Sequence, residues 1–394
     1  MRYKLSDIIV CPHCKRRKFI IISFVIILVL FIFPPFLLVL ANGGLASYLH
    51  RELAYHHISQ RITENSRNDF EKVVILNSFV FLSEEQGAPF IDVVDNTPYF
   101  DLVRHIGWCD QKAAGLVQLL EKQNIKARIV GFPCHSVAEV WLDKVPRFFD
   151  PTFNCYFVYE NDREQVATLE DVLNDNDKLI MSNGNSFSEY EGKSITTCGD
   201  YSRRSILIDT KPLYKKMASK IMDFHYFIGG DFFCNLFQDF HFVVMEKFRG
   251  SKVVDSLGHM VTNERMLNEY ESEMYFDLYK ARSYHLFNDF SEASRIYDNL
   301  LDSEDFRDDA LFFKTKILLQ TKKFSELEGH IISIYDEYGE NIAVRTGGTE
   351  IRYLFFIKRY LEKFYLIENW QLEKIFNFTE PEVNEVKAIY RRIF

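Results

Sequence analysis

An uninterrupted apolar run near the N-terminus decides on which side of a membrane the rest of this chain can lie. From Phe19 to Ala41 the only polar side chain is Ser23, and no charged residue follows before Arg51. A helix of this length extends about 34 Å, which is enough to cross a hydrocarbon core of about 30 Å. The apolar region of a cleaved signal peptide usually spans only about 7–15 residues. The sequence therefore predicts an uncleaved transmembrane anchor at residues 19–41, with a re-entrant segment as the alternative.

The charges on the two flanks predict the orientation of this anchor. Residues 1–18 contain six Lys and Arg residues and one acid, Asp7. Because cytoplasmic flanks carry the excess of Lys and Arg, we expect residues 1–18 to be a cytoplasmic basic tail of a single-pass membrane protein. The bulk of the chain then lies on the outer face, periplasmic or extracellular. The net charge of −9 argues against a nucleic acid partner, because phosphate binding needs a basic face.

The basic tail also contains a short cysteine motif, Cys11-Pro12-His13-Cys14. A tetrahedral zinc site needs four ligands, so this tail could hold zinc only together with a second chain. An inert pair of reduced thiols is the favoured interpretation. We therefore expect no metal and no cofactor.

The chain after the anchor is expected to form an α+β domain followed by helices. The first domain covers residues 44–255, in which residues 160–215 are polar and without clear periodicity, as in an insertion or a long loop. The predicted elements of this domain are helices over 44–82 and Asp110–Gln123 and strands over Ile125–Phe132, Ser136–Leu142 and Arg147–Asp150. A turn between neighbouring strands predicts an antiparallel sheet.

The last part of the chain, residues 260–394, is predicted to be a separate helical domain. The hexapeptide that begins at Asn288 recurs at Lys322, 34 positions later, and 34 residues is the tetratricopeptide period. The packing positions in this register are Ala281, Tyr284, Ala293 and Tyr297 in the first repeat and Thr315, Leu318, Leu327 and Ile331 in the second. The segment resembles two degenerate tetratricopeptide repeats, with an ordinary helical bundle as the alternative. Either arrangement suggests a surface that binds a protein partner.

Three residues of the first domain are candidates for nucleophilic catalysis. Cys109 lies at the start of a predicted helix, whose N-terminus favours a thiolate and offers N–H groups to an oxyanion. His135 opens a predicted strand, and Asp150 lies 15 residues later across a turn. With that turn centred near residues 142–143, the two side chains face each other on paired strands. A thiol nucleophile needs such a base and a group that orients it.

The motifs around these residues resemble the transglutaminase-like core superfamily of papain-type cysteine enzymes. The resemblance runs from about residue 71 to residue 153. Its motifs are Gly107-Trp108-Cys109, the strand from Asn124 to Val130, His135 with Glu139-Val140 four residues on, and Phe149-Asp150-Pro151-Thr152. The chain departs from the pattern at Asn124, where the family has Gly, and at Phe148, where it commonly has Trp. Neither departure removes a catalytic group.

This resemblance implies a fold, residue roles and an activity. The fold is a helix packed on an antiparallel sheet. Cys109 is then the nucleophile and its backbone N–H an oxyanion donor, His135 is the general base and acid, and Asp150 orients the imidazole. The activity is a cysteine hydrolase (protease or amidase) or acyltransferase that acts on peptide or side-chain amide bonds through a thioester. The topology suggests cell-envelope peptides or proteins as substrates. The alternative is a catalytically silent, membrane-anchored adaptor that binds a partner through its helical repeats.

Overall fold

The structure is a computed structural model. It describes residues 43–84, 107–132, 135–174, 178–182, 236–239, 269–303, 306–338 and 352–394, with a few isolated positions besides. Within these ranges no helix is both long enough and apolar enough to cross a membrane. The predicted anchor at residues 19–41 lies almost wholly outside the described residues, and the Cys11–Cys14 motif lies entirely outside them.

The described chain has the predicted α+β character, with small antiparallel sheets and many helices. Two compact units are formed, one by residues 1–52 and 216–257 and the other by residues 53–215 and 258–394. The second unit contains the strands and the C-terminal helices. Its elements are described below.

The helical region predicted for residues 44–82 consists of two helices. These are α1, Gly43–Thr63, and α2, Asp69–Ser83. The break arises because Asn68 caps α2, with an extended backbone and a side chain that accepts a hydrogen bond from the Glu71 N–H at 2.9 Å. An N-cap residue has non-helical dihedral angles, so a helix cannot continue through it.

The central helix and first sheet agree with the sequence prediction. Helix α3, Cys109–Lys122, is followed by β1, Ala127–Gly131, β2, Ser136–Leu142, and β3, Val145–Phe149, which pair antiparallel in that order. Asn124 ends α3 in the left-handed conformation, with φ of 58°. Asn tolerates this conformation, so its presence in place of Gly is compatible with the turn.

The β2–β3 hairpin differs from the predicted register by two positions. Its two-residue loop is Asp143-Lys144, and both residues have positive φ, as a type I′ turn requires. Leu142 pairs with Val145, so the turn centres between residues 143 and 144 rather than between 142 and 143. Two residues along a strand return a side chain to the same face, so the error leaves the predicted face unchanged.

A second sheet lies where the sequence was interpreted as an insertion or a long loop. Strands β4, Phe157–Tyr159, β5, Asp162–Val166, and β6, Leu179–Met181, form it in the order β5-β4-β6, with helix α4, Leu169–Asn174, between β5 and β6. Residues 160–182 are therefore not simply a loop. The strands are too short to give a clear periodicity, and packing rather than pattern holds them: Phe157, Leu179 and Met181 are buried in a cluster with Phe148.

The C-terminal part of the chain is helical, as predicted. Its helices are α5, Glu269–Leu286; α6, Phe290–Leu300; α7, Arg307–Gln320; α8, Phe324–Tyr338; α9, Arg352–Leu366; α10, Asn369–Phe376; and α11, Glu380–Ile393. The 34-residue echo is a repeated helical hairpin: Asn288 and Lys322 both turn with left-handed φ, and α6 and α8 begin two residues later. Of the eight predicted packing positions, seven are buried and Leu318 is partly buried.

Helix α2 ends against lysines from two other helices. Lys363 of α9 donates from Nζ to the carbonyl oxygens of Phe81, at 2.8 Å, and Glu84, at 3.1 Å. Lys112 of α3 donates to the same Glu84 oxygen at 2.8 Å. The last carbonyls of a helix lack partners within it and carry a partial negative charge, so these cations stabilise the end of α2. Whether residues 260–394 also fold alone, as a separate domain, stays a prediction.

Candidate active site

Cys109 is the first residue of α3, at the helix N-terminus that the sequence predicted. The preceding residue, Trp108, has an extended backbone, and its N–H donates to Gln111 Oε1 at 2.7 Å, which fixes the start of the helix. Cys109 itself is partly exposed, and the Trp108 side chain is 48 % exposed. The first N–H groups of α3 and its positive end therefore lie beside a thiol that is accessible to solvent.

A buried carboxylate explains why the motif Gly107-Trp108-Cys109 begins with glycine. Glu84, fully buried, places its side chain against α3. A Cβ on Gly107 would collide with Glu84 Oε2, and a Cβ on Gly115 would lie 3.3 Å from Oε1. The two glycines let the carboxylate approach the helix that carries Cys109. Sequence analysis missed Glu84, because it lies beyond the end of an apolar helix and outside the motifs.

Replacing Gly107 by alanine should destabilise the protein by about 1–3 kcal/mol, the range for overpacking a filled site. The matched control is Gly329→Ala in α8, where a Cβ would meet nothing within 4 Å. That substitution should stabilise the helix by about 0.5–1 kcal/mol. Urea unfolding of the two variants measures both changes. Equal stabilities for the two variants would mean that Glu84 does not hold this position.

His135 and Asp150 are in direct contact. His135 Nε2 lies 2.5 Å from Asp150 Oδ2, with the Asp150 side chain fully buried and that of His135 5 % exposed. His135 also forms a hydrogen bond with Cys109. Since Nε2 is engaged with Asp150, Nδ1 is the nitrogen left for the thiol. The structure thus brings the three predicted catalytic residues together.

The hairpin register accounts for this contact. Ala138 pairs with Phe149, so Asp150 comes opposite Val137 rather than His135. His135 immediately precedes β2, two residues from Val137 and on the same face. Diagonal neighbours of this kind are close enough for long side chains to meet.

The surroundings of His135 favour its protonated form. Burial alone lowers the pKa of His135, but the charge and hydrogen bond of Asp150, together with those of Cys109, outweigh burial and raise it to about 10. His135 is therefore an imidazolium at neutral pH, and it donates from both ring nitrogens. A cation beside a thiol stabilises the thiolate, which is the nucleophilic form of cysteine.

Asp150 is held by the short loop that follows it. Its Oδ1 accepts hydrogen bonds from the backbone N–H groups of Thr152, at 2.7 Å, and Phe153, at 3.4 Å. The backbones of Asp150 and Cys155 exchange two hydrogen bonds, of 2.8 and 3.0 Å, which close the loop. Oδ1 is thus occupied by the loop, and Oδ2 points to His135.

Two polar side chains of α2, Asn77 and Ser78, contact Asn154 of this loop. Sequence analysis missed all three residues. Asn77 Nδ2 lies 3.1 Å from Asn154 Oδ1 and 3.5 Å from the Asp150 carbonyl oxygen. Ser78 Oγ lies 2.9 Å from the same Asn154 oxygen. The available signal was the pair Asn77-Ser78 itself, since these are the only polar residues between Val73 and Leu82.

The other described cysteine has no comparable environment. Cys155 is a free thiol, fully buried. Burial, and then the charge of Asp150, raise the pKa of Cys155 well above its usual range. A buried thiol that resists ionisation is inert, so Cys155 serves as an internal reference for Cys109. Cys134, next to His135, lies outside the described residues.

In the described part of the chain, neither a metal cluster nor the cleft described next includes the three candidate catalytic residues. There, no group of three or more His, Cys, Asp or Glu side chains could hold a metal ion. A cleft of about 590 Å³ lies at the hairpin end of the first sheet, lined by Trp141, Asp143 and Arg147 among others. None of the three candidate catalytic residues lines it.

The site therefore combines a helix N-terminus, a thiol, a charged imidazole and a buried carboxylate. A thiolate in this setting can attack a carbonyl carbon, and the neighbouring imidazolium can protonate a leaving group. Comparisons of the chain with protein-family models, with curated proteins and with solved structures found no match.

Proposed function

We propose that this protein is a membrane-anchored, transglutaminase-like cysteine enzyme that acts on peptide or side-chain amide bonds. The observation that carries the proposal is the position of His135, which contacts Asp150 through one ring nitrogen and hydrogen-bonds Cys109 at the start of α3. A nucleophile, a base and a group that orients the base are the parts that thiol catalysis requires.

In the proposed first step, the Cys109 thiolate attacks the amide carbonyl carbon and forms a tetrahedral intermediate. The carbonyl oxygen becomes an oxyanion, which the backbone N–H of Cys109 and the positive end of α3 stabilise. His135 then gives its proton to the amide nitrogen, the C–N bond breaks, and the amine leaves. The product on the enzyme is a thioester.

In the second step, His135 has become neutral and accepts a proton from the attacking group. Attack by water releases the acid and amounts to hydrolysis, whereas attack by an amine forms a new amide and amounts to acyl transfer. Sulfur leaves as the thiolate beside the reprotonated imidazole, and the site returns to its starting state. Throughout, Asp150 keeps the ring oriented and stabilises its charged form.

Labelling with a thiol-directed probe tests the proposed function. The detergent-solubilised full chain should be labelled at Cys109 by iodoacetamide at pH 6–7, and Cys109→Ala should remove that label. Cys155 should stay unlabelled while the protein is folded. A folded protein in which Cys109 reacts no faster than a model thiol would support the adaptor alternative, which the repeated 34-residue helical hairpin favours.

The proposed topology places residues 42–394 outside the cytoplasm, because the basic tail precedes the apolar run. An alkaline phosphatase fusion after Phe394 should therefore be active, since that reporter needs an oxidising compartment. A green fluorescent protein fusion at the same position should be dark after export through the general secretory route. The reverse pattern would put the site in the cytoplasm.

A further inference from the structure

The C-terminal helices reach the loop that holds Asp150, the candidate orienting carboxylate, through hydrogen-bond contacts between side-chain amides and one hydroxyl. Gln371, in α10, is buried, and its Oε1 lies 3.2 Å from Ser78 Oγ of α2. Ser78 Oγ lies 2.9 Å from Asn154 Oδ1, in the loop between Asp150 and Cys155. Gln371, Ser78 and Asn154 all belong to the same compact unit of the protein.

The hydrogen atoms available on these side chains determine which group donates in each contact. The Ser78 hydroxyl has a single hydrogen, so it cannot donate to both Asn154 Oδ1 and Gln371 Oε1. A half-turn of the Gln371 amide places Nε2 at Ser78, where it donates to Oγ. The Ser78 hydrogen then goes to Asn154 Oδ1. The contacts of Asn77 Nδ2 with the Asp150 carbonyl oxygen and with Asn154 Oδ1 keep the Asn154 oxygen as the acceptor, so this is the arrangement that satisfies all of these contacts together.

The next link reaches Asp150. Asn77 Nδ2 has two hydrogens and lies near two acceptors, Asn154 Oδ1 and the Asp150 carbonyl oxygen. Asn154 itself has φ of 50°, a left-handed conformation that the loop needs in order to return to Cys155. The side chains of Asn77 and Ser78 therefore fix the one loop residue whose backbone is strained.

We propose that Gln371 is a positioning residue for the Cys-His-Asp site, acting through Ser78 and Asn154 on the loop that orients Asp150. The proposal rests on the proposed function and extends it: the C-terminal helical segment becomes part of the catalytic unit. Buried hydrogen-bond networks of this kind rigidify their surroundings when every member has a partner. Loss of Gln371 leaves Ser78 without its donor and loosens the loop at Asn154.

The test compares Gln371→Met, which keeps the side-chain length and removes the amide, with Asn369→Ala. Asn369 is also in α10, but its Oδ1 accepts a hydrogen bond from Lys387, away from α2. In the full chain, Gln371→Met should slow alkylation of Cys109 by iodoacetamide at pH 6 about fivefold, as expected for one hydrogen bond. Histidine-ring NMR should show the pKa of His135 falling by about half a unit. Asn369→Ala should behave like the unmodified protein in both measurements.

Coupling to Ser78 separates positioning from a general loss of packing. Ser78→Ala should give the same two changes, and the double variant should show no further loss, because both act on one chain of contacts. Gln371→Glu retains the length and an acceptor but lacks the amide donor, so it should also show the loss, and it serves if Gln371→Met does not fold. Unchanged ring titration in these folded variants, or independent effects of the Ser78 and Gln371 substitutions, would overturn the proposal. If Cys109 of the unmodified protein is unreactive, the proposed function fails, but the His135 titration still decides whether Gln371 acts on the loop.

Discussion

Replacing His135 by glutamine should lower the rate at which iodoacetamide alkylates Cys109 at pH 6 by about a hundredfold. An ordinary thiol, with a pKa near 8.5, is only about 0.3 % thiolate at this pH. His135 has a pKa of about 10 and supplies a positive charge beside the sulfur. Glutamine cannot carry that charge, although its amide can still donate to Asp150, so the buried carboxylate does not lose its partner. Mass spectrometry of the alkylated peptide gives the rate.

His330→Gln is the matched control for this substitution. His330 lies in α8, and its Nε2 donates to the Leu311 carbonyl at 3.3 Å, in the helical segment. Its replacement should leave the alkylation rate of Cys109 unchanged. Asp150→Asn should reduce the rate less than His135→Gln, because the imidazole is kept but loses the charge that orients it and favours its cation. Equal rates for His135→Gln and the unmodified protein would show that His135 does not activate Cys109.

The free energy of unfolding should fall as the pH rises from about 8.5 to about 10, and His135→Gln should remove this component. The pKa of His135 is near 6.5 in the unfolded chain and about 10 in the folded protein, and an unfolded thiol ionises near pH 8.5. If the folded site is a thiolate beside an imidazolium, the proton that His135 holds in the folded state is matched up to about pH 8.5 by the proton on the unfolded thiol. Above about pH 8.5 only the folded state keeps its proton, so raising the pH favours unfolding, with a slope of at most about 1.4 kcal/mol per pH unit.

Urea unfolding of the unmodified protein and of His135→Gln from pH 5 to pH 10 measures this component. The difference between their free energies of unfolding is plotted against pH, so that the contributions of the other titrating groups cancel. His330→Gln again provides the contrast: burial lowers the pKa of His330, so its contribution changes only below pH 6.5. A flat difference between the unmodified protein and His135→Gln from pH 8.5 to pH 10 would mean that the Asp150–His135 pair does not hold its proton.

The sequence predicted which side chains of the candidate site come together, because these residues are local in the chain. Cys109, His135 and Asp150 fall within 42 positions, on one helix and one hairpin. Side chains alternate between the two faces of a strand, so the face on which each of them lies can be read from the sequence. The two-residue error in register was harmless for the same reason. Local backbone chemistry also explains the break before α2, since Asn68 was a visible helix cap.

What the sequence could not predict are contacts between distant segments and short strands without a pattern. The strands β4 and β6 have three residues each, fewer than a periodicity needs to become visible. Nothing in the sequence pairs Gln371 with Ser78, because the two lie 293 positions apart. The same holds for Glu84 and Gly107, which become adjacent only through the packing of α2 on α3.

The lysine that closes the end of α2 also sets an order of events during synthesis of the chain. A ribosome makes Phe81 first and Lys363 282 positions later. Until then the terminal carbonyls of α2 cannot be covered by α9, and this helix, which packs against the helix of Cys109, lacks part of its final environment. A nascent chain thus presents Cys109 long before the surroundings of this thiol are complete, and the candidate site reaches its final packing only after α9 has been made.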